Sequence, residues 1–145
     1  MANWRCCNFC LDMQEVLLVY DHQCFVCDAY CRRAHIREDI GMLQRVNARE
    51  ASPVMDELNA KGFDIDKGLV LKVGDDIYCG SDAIHELSLL SNRGNFFNRL
   101  TYWTFCSKRL SHIIYPILRF FHDLILKILR KPKINNLSLP DNDWF

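Results

Sequence analysis

Two cysteines, Cys24 and Cys27, form a C-x-x-C pair where a predicted strand passes into a predicted helix. Residues 16–20 are five consecutive apolar or aromatic residues, which predicts a short buried strand. At a helix N-terminus, unpaired backbone N–H groups and the helix dipole favour negative charge, so a cysteine there ionises more readily. The pattern therefore predicts Cys24 as an exposed nucleophile and Cys27, one turn later, as the resolving thiol.

A C-x-x-C pair beside a strand–helix–strand pattern is typical of thioredoxin-like redox sites, but metal sites share it. Cys7 and Cys10 form an earlier pair, and the resulting C-x2-C-x13-C-x2-C spacing is close to that of a zinc ribbon. The apolar strand between the two pairs is unlike the polar or Gly-rich turns of zinc knuckles. A zinc site with four cysteine ligands is therefore the alternative, and a loose Cys-containing arm over residues 1–15 is the favoured interpretation.

The composition of the chain is that of an ordinary globular protein. Its 145 residues are half hydrophobic and one quarter charged, which is enough for one domain with a real core. The formal net charge of zero gives no global field toward nucleic acid or a membrane. Eight cysteines without a basic-then-apolar leader predict a reducing cytoplasm rather than a disulfide-stapled secreted domain. The chain also lacks the glycine-rich loops that bind nucleotide phosphates.

The first half of the chain predicts alternating strands and helices. A helix over residues 24–39 should end at Gly41, and residues 43–48 should form a second strand. Ser52 and Pro53 have the residue types of an N-cap and a first helical position. The next helix should therefore begin there.

A hairpin over residues 69–79 and a helix capped by Ser81 should follow. The order strand, helix, strand, helix, hairpin, helix predicts an α/β fold over residues 16–92. We expect a thioredoxin-like four-stranded mixed sheet flanked by helices.

Residues 93–131 predict a C-terminal helical extension. Within it, residues 112–130 have a wide apolar face, but charged residues interrupt it too often for a transmembrane span. Pro116 is expected to kink or start this helix. The apolar face has three interpretations: packing on the domain, pairing with another chain, or lying on a membrane surface. Residues 132–145 are predicted to form a flexible tail.

Two short segments carry a resemblance to a known family. The segments are DHQCFVC at residues 21–27 and YCGSDA at residues 78–83. They resemble the DCC family of thiol-disulfide oxidoreductases, which is named for an Asp-x-x-Cys-x-x-Cys motif and has a similar Asp-Ala segment before its third helix. The resemblance covers about residues 16–134. It implies a thioredoxin-like fold and a dithiol–disulfide function, and it carries over Asp21, Cys24 and Cys27 as motif positions.

The role of Asp21 stays open between relaying the Cys27 proton and bonding the backbone of the turn. The chain also departs from the family pattern. His22 stands where many members have Gly, and Phe25 stands where many have Pro or Gly. No proline occurs between Pro53 and Pro116, so the cis-proline that thioredoxins carry before their third strand is absent.

The sequence thus predicts a thiol-disulfide oxidoreductase that needs no prosthetic group or metal. Cys24 and Cys27 would exchange disulfides with a protein or a low-molecular-weight thiol, with Asp21 as the third site residue. Cys31 is expected to be a small buried hydrophobe. The alternative is a four-cysteine zinc module or a scaffolding module. The expected location is the cytoplasm, and the C-terminal helix could contact a membrane surface or a second copy of the chain.

Overall fold

A four-stranded mixed sheet forms the centre of the computed structural model, which describes residues 14–144. The strands are β1 (Val16–Tyr20), β2 (Leu43–Asn47), β3 (Val70–Val73) and β4 (Asp76–Cys79), and their order is β2-β1-β3-β4. The central strand β1 pairs parallel with β2 and antiparallel with β3, and β3 pairs antiparallel with β4. The prediction of an α/β fold on a four-stranded mixed sheet is confirmed.

Five α-helices surround the sheet. They are α1 (Phe25–Arg33), α2 (Pro53–Ala60), α3 (Ser81–Leu90), α4 (Phe96–Phe105) and α5 (Lys108–Ile128). As the sequence predicts, Ser52 caps α2: its hydroxyl accepts a hydrogen bond of 3.3 Å from the backbone N–H of Met55. The predicted C-terminal helical extension is present as α4 and α5.

Alternation along β1 divides the core between the two faces of the sheet, because successive side chains of a strand point to opposite sides. Val16, Leu18 and Tyr20 pack with buried residues of α1 and α3. Leu17 and Val19 pack with a second cluster that includes buried residues of α2. Helices therefore cover both faces of the sheet.

The first helix is shorter than predicted, because α1 ends at Arg33 and not near residue 39. The guanidinium of Arg45 donates 2.8 Å hydrogen bonds to the backbone carbonyls of Cys31 and Ala34 at the end of the helix. Ala34 is already extended, and Ile36 forms an isolated antiparallel bridge with Ser91. A distant strand residue therefore satisfies the carbonyls that a longer helix would have used.

One further prediction about a helix start is wrong, and of the two alternatives for Pro116 only the kink stays a prediction. The N-cap of α3 is Gly80, at a φ of 58°, rather than Ser81. The Ser81 hydroxyl instead lies 2.7 Å from Nδ1 of His112 in α5. Pro116 does not start the last helix, because α5 begins at Lys108 and the proline lies inside it.

Two glycines allow α5 to approach the sheet closely. The Tyr115 hydroxyl donates a 3.1 Å hydrogen bond to the Lys67 carbonyl. A Cβ at Gly68 would lie 1.4 Å from the Tyr115 hydroxyl oxygen, and one at Gly80 would lie 3.1 Å from the ring. The ring therefore occupies space that any larger residue at Gly68 would fill.

The C-terminal segment after α5, predicted as a flexible tail, makes specific hydrogen bonds to the domain. The Asp66 carboxylate accepts hydrogen bonds from the backbone N–H groups of Ile134 and Asn135, at 2.8 and 2.7 Å. The Asn136 side chain accepts one of 3.0 Å from the Ile65 N–H.

Among residues 14–144, no helix combines the length and the hydrophobicity that crossing a membrane requires.

Candidate dithiol site

Cys24 occupies the N-cap position of α1, directly after the turn that follows β1. Its backbone N–H donates to the Asp21 carbonyl at 3.3 Å, and its carbonyl accepts from the Asp28 N–H at 2.8 Å. The predicted exposure of Cys24 is wrong, because 0% of its surface is accessible. The thiol is enclosed by Cys27 and by a residue of α5, so access to it depends on how α5 packs.

That α5 residue is His122. The Sγ atoms of Cys24 and Cys27 and a ring nitrogen of His122 all lie within 4.8 Å of one another. Cys27 lies one turn into α1 and is half-buried. A histidine distant in sequence therefore completes the site that the C-x-x-C pair begins.

Contacts between the three side chains favour a thiolate on Cys24. The hydrogen bond from the Cys27 thiol lowers the pKa of Cys24 strongly, against the opposing effect of burial, and a hydrogen bond from His122 acts in the same direction. The same contact with Cys24, together with burial, raises the pKa of Cys27. We therefore assign the negative charge of the pair to Cys24 and the remaining proton to Cys27.

His122 is suited to be the positive partner of this thiolate. Burial opposes its charged form, but hydrogen bonds to Cys24 and Asp123 outweigh that effect and raise its pKa. Nδ1 of His122 lies 3.1 Å from the Asp123 carboxylate. A raised pKa increases the fraction of imidazolium near neutral pH, and an adjacent imidazolium is a common cause of thiolate stabilisation.

The sequence alone does not identify His122 as a site residue. It is one of the polar residues that interrupt the apolar face of residues 112–130. Ser111, Tyr115 and Leu126 form the domain-facing side of α5 together with His122: Ser111 and Leu126 are buried, and Tyr115 is half-buried. These positions recur at helical spacing. The sequence signal for His122 is its helical spacing from these residues. Using that signal requires knowing which face of α5 packs on the domain.

Asp21 supports the turn in front of Cys24. Its buried carboxylate receives 2.8 and 2.7 Å hydrogen bonds from the Arg49 guanidinium and a 2.9 Å bond from the Gln23 N–H. Burial opposes ionisation, but these bonds lower the pKa of Asp21. Of the two roles that the sequence leaves open, the bond to the Gln23 N–H is the one that the support of the turn predicts, and the relay of the Cys27 proton stays a prediction.

The other residues of the two motif segments lie outside the cluster of Cys24, Cys27 and His122. The His22 ring packs on Tyr20, with 4.4 Å between ring centroids. Phe25 is exposed at the start of α1. Asp82 lies 3.5 Å from Lys108 and 3.6 Å from His112, and so links α3 to α5, while Ala83 is buried.

Cys31 is fully buried, as predicted for a small hydrophobe. Burial raises the pKa of its thiol. A buried, protonated thiol is a poor nucleophile. Cys31 is therefore part of the core and not a third reactive thiol.

A cavity of about 320 Å³ adjoins the cysteine pair. Cys27 forms part of its wall, and the rest comes mainly from apolar side chains of the domain, α4 and α5, among them Tyr30, Ile84, Leu100, Leu118 and Phe121. Its volume is at the lower end of the range of about 300–1,000 Å³ that is usual for small-molecule sites. The cavity can hold a small ligand next to Cys27.

The same three side chains also have the spacing of a metal site. Within residues 14–144, Cys24, Cys27 and His122 are the group of potential ligands close enough to hold one ion. Structural zinc sites almost always have four protein ligands. The predicted partners Cys7 and Cys10 lie outside the described residues, as does Cys6.

Comparisons of the chain with protein-family models, curated proteins and solved structures find no match. The resemblance to the DCC family therefore rests on the two short motifs and stays a prediction. The proposed function rests on the geometry of the site.

Proposed function

We propose that the protein is a thiol-disulfide oxidoreductase that uses Cys24 and Cys27. The observation that carries the proposal is the contact of Cys24, at the N-terminus of α1, with both the Cys27 thiol and His122. This arrangement provides a thiolate, a second thiol within reach and a positive partner. Alone, a C-x-x-C pair at a helix start would provide only the first two.

The reaction is a two-step exchange. The Cys24 thiolate attacks one sulfur of a disulfide RS–SR, forming a Cys24–SR mixed disulfide and releasing RS⁻. Cys27 then gives its proton to the released RS⁻ and attacks Sγ of Cys24. The second RS⁻ leaves, so the substrate is reduced by two electrons as the pair becomes a Cys24–Cys27 disulfide. The reverse sequence oxidises a dithiol substrate.

The enclosure of the site favours a small apolar substrate over a protein. Cys24 has no accessible surface, and α5 lies against it, so a protein disulfide would meet α5 first. The cavity would place a small molecule against Cys27 and His122, the two side chains that contact Cys24. Its charged wall residues already have partners within the protein. Asp21 and Asp66 are hydrogen-bonded to Arg49 and to backbone N–H groups. Arg119 lies 3.8 Å from the Asp123 carboxylate, and His122 contacts both Asp123 and Cys24. The cavity therefore offers little to a charged ligand, and we propose neutral, largely apolar disulfides as the substrate class.

Trapping with a neutral and a charged disulfide tests the proposal. The Cys27→Ser variant, mixed with dithiodipyridine, should accumulate a mixed disulfide on Cys24, because the resolving thiol is missing. Peptide mass identifies the cysteine. Each rate constant is first divided by the rate constant of the same reagent with a free small thiol. After this correction, neutral dithiodipyridine should react at least roughly tenfold faster than dianionic dithiobis(nitrobenzoate), because an apolar site penalises an unpaired charge.

Variants on α5 test the proposed substrate class separately from the disulfide exchange itself. Leu118→Trp should obstruct the cavity and slow dithiodipyridine, whereas Leu129→Trp is a matched control because Leu129 has similar exposure and is not part of the cavity wall. Equal normalised rates for the two disulfides, in the Cys27→Ser protein and in both tryptophan variants, would refute the proposed substrate class but not the oxidoreductase. A Cys24 that forms no mixed disulfide with either reagent would refute the oxidoreductase itself.

A metal site is the second candidate function, and the grouping of Cys24, Cys27 and His122 favours it. Zinc bound at this position would protect both thiols from alkylation and disulfide exchange. The two functions therefore predict opposite reactivity for the same cysteines.

A further inference from the structure

One side of α5 is apolar and points away from the domain. We call it the outer face, and it consists of Ile113, Ile117, Phe120, Leu124 and Ile128. All five are exposed, with 65% of Ile113, 64% of Phe120 and 70% of Ile128 accessible. The domain-facing side of the helix is formed by other residues, such as Ser111 and Leu126, which are buried. Packing on the part of the domain within residues 14–144 is therefore not the reason for this apolar face.

Such a face requires a partner. Scattered single hydrophobic residues on a surface are normal, but a contiguous exposed patch marks an interaction site. The outer face extends from Ile113 to Ile128 of a 21-residue helix, a span of about four turns. A long surface helix with an apolar side turned outward is the geometry of proteins that lie in a membrane interface.

The charge around the outer face indicates the kind of partner. Residues 108–133 contain one acidic residue, Asp123, and the basic residues Lys108, Arg109, Arg119, Lys127, Arg130, Lys131 and Lys133. The whole chain has a formal net charge of zero, so the remaining segments carry the balancing negative excess. Arg109 and Lys127 are exposed and, at 3.6 residues per turn, lie along the same edge of the outer face. The positive charge is therefore concentrated on α5 and on the short segment that follows it.

We propose that α5 docks the protein on an anionic membrane surface. The outer face enters the boundary between headgroups and acyl chains, and the flanking basic residues lie near the phosphates. Pairing of two copies through the same face is less favourable, because it would bring two segments of the same positive charge together with only Asp123 of each to oppose them. An anionic membrane surface would contact both the apolar side chains of the outer face and the basic residues beside it.

Vesicle co-sedimentation of the full chain tests this inference. The protein should bind vesicles that contain phosphatidylglycerol more tightly than pure phosphatidylcholine vesicles, and binding should weaken as salt rises. Phe120→Glu should weaken binding to the anionic vesicles by roughly tenfold or more, because it removes an apolar anchor and adds a negative charge. Met42→Glu is the matched control, since Met42 is 71% exposed and lies outside α5. It should leave binding unchanged.

Light scattering after size exclusion gives the competing outcome. A dimer that Phe120→Glu dissociates, with no vesicle binding, would overturn the proposal in favour of a second copy. A monomer that binds neither vesicle would overturn it as well. Equal binding to both vesicle types would contradict the role of the basic residues. None of these outcomes depends on the reactivity of Cys24, so the oxidoreductase proposal is tested separately.

Discussion

Replacing His122 with glutamine is expected to raise the pKa of Cys24, so that less of this cysteine is thiolate at pH 6 and below. In the native protein, the contacts from Cys27 and His122 hold the pKa of Cys24 far below its ordinary value. The pKa values of Cys27, Cys31 and Cys79 are raised above the ordinary cysteine value of about 8.5, so these three thiols are protonated at pH 6. Glutamine can still donate a hydrogen bond but carries no charge. The thiolate absorbance near 240 nm, followed from pH 8 to pH 3, measures the change directly.

In the pH range where the variant has lost thiolate, disulfide exchange should also slow, by up to roughly tenfold for each unit that the pKa of Cys24 rises. His112→Gln is the matched control, because His112 is on the same helix and contacts Ser81 rather than the cysteines. A His122→Gln protein with an unchanged titration curve would show that His122 is not the charge partner of Cys24. An equal change in His112→Gln would show a general effect on α5.

Removing the partner of Asp21 should cause the largest loss of stability. The Asp21 and Arg49 side chains are only 5% and 15% exposed, and they meet at 2.7 Å. Arg49→Met leaves the carboxylate buried without its cation, a change that typically costs about 3–5 kcal/mol. Urea unfolding at pH 7 measures the loss. Arg37→Met is the control, since Arg37 and Asp39 form an exposed pair worth about 0–1 kcal/mol.

The effect of Arg49→Met should depend on pH with a defined sign. In the native protein the pKa of Asp21 is lowered, so the pair stabilises the fold above the unfolded-state pKa of about 3.9 and is lost as the pH falls through the folded-state pKa. In the variant, burial without Arg49 raises the pKa of Asp21, so protonation relieves the penalty. The destabilisation should therefore shrink between pH 7 and pH 4. A constant difference over this range would contradict the assignment of Asp21 as the buried charge.

Local patterns in the sequence were sufficient to predict most of the sheet. The apolar run of β1 and the Ser52–Pro53 start of α2 depend on neighbouring residues, and both predictions are confirmed. The end of α1 could not be predicted in this way, because Arg45 of β2 satisfies its last carbonyls. The N-cap of α3 was also mispredicted, because the Ser81 hydroxyl lies against His112 of a later helix.

The candidate site was predicted only in part for the same reason. The C-x-x-C spacing and its position at a helix start identify Cys24 and Cys27 without tertiary information. The burial of Cys24 and its contact with His122 both depend on the docking of α5, which Tyr115 and the close approach at Gly68 make possible. Such contacts join segments far apart in sequence, and no local pattern encodes them.

The most direct test of the oxidoreductase is a dithiothreitol redox titration of the anaerobically purified protein, with bound zinc measured on the same sample. Differential alkylation, resolved by peptide mass, reports the state of each cysteine. We expect no zinc, and a conversion of Cys24 and Cys27 between dithiol and disulfide at one shared midpoint, while Cys31 stays reduced. Stoichiometric zinc with both thiols protected, or a pair that stays reduced at every potential, would contradict the proposed function.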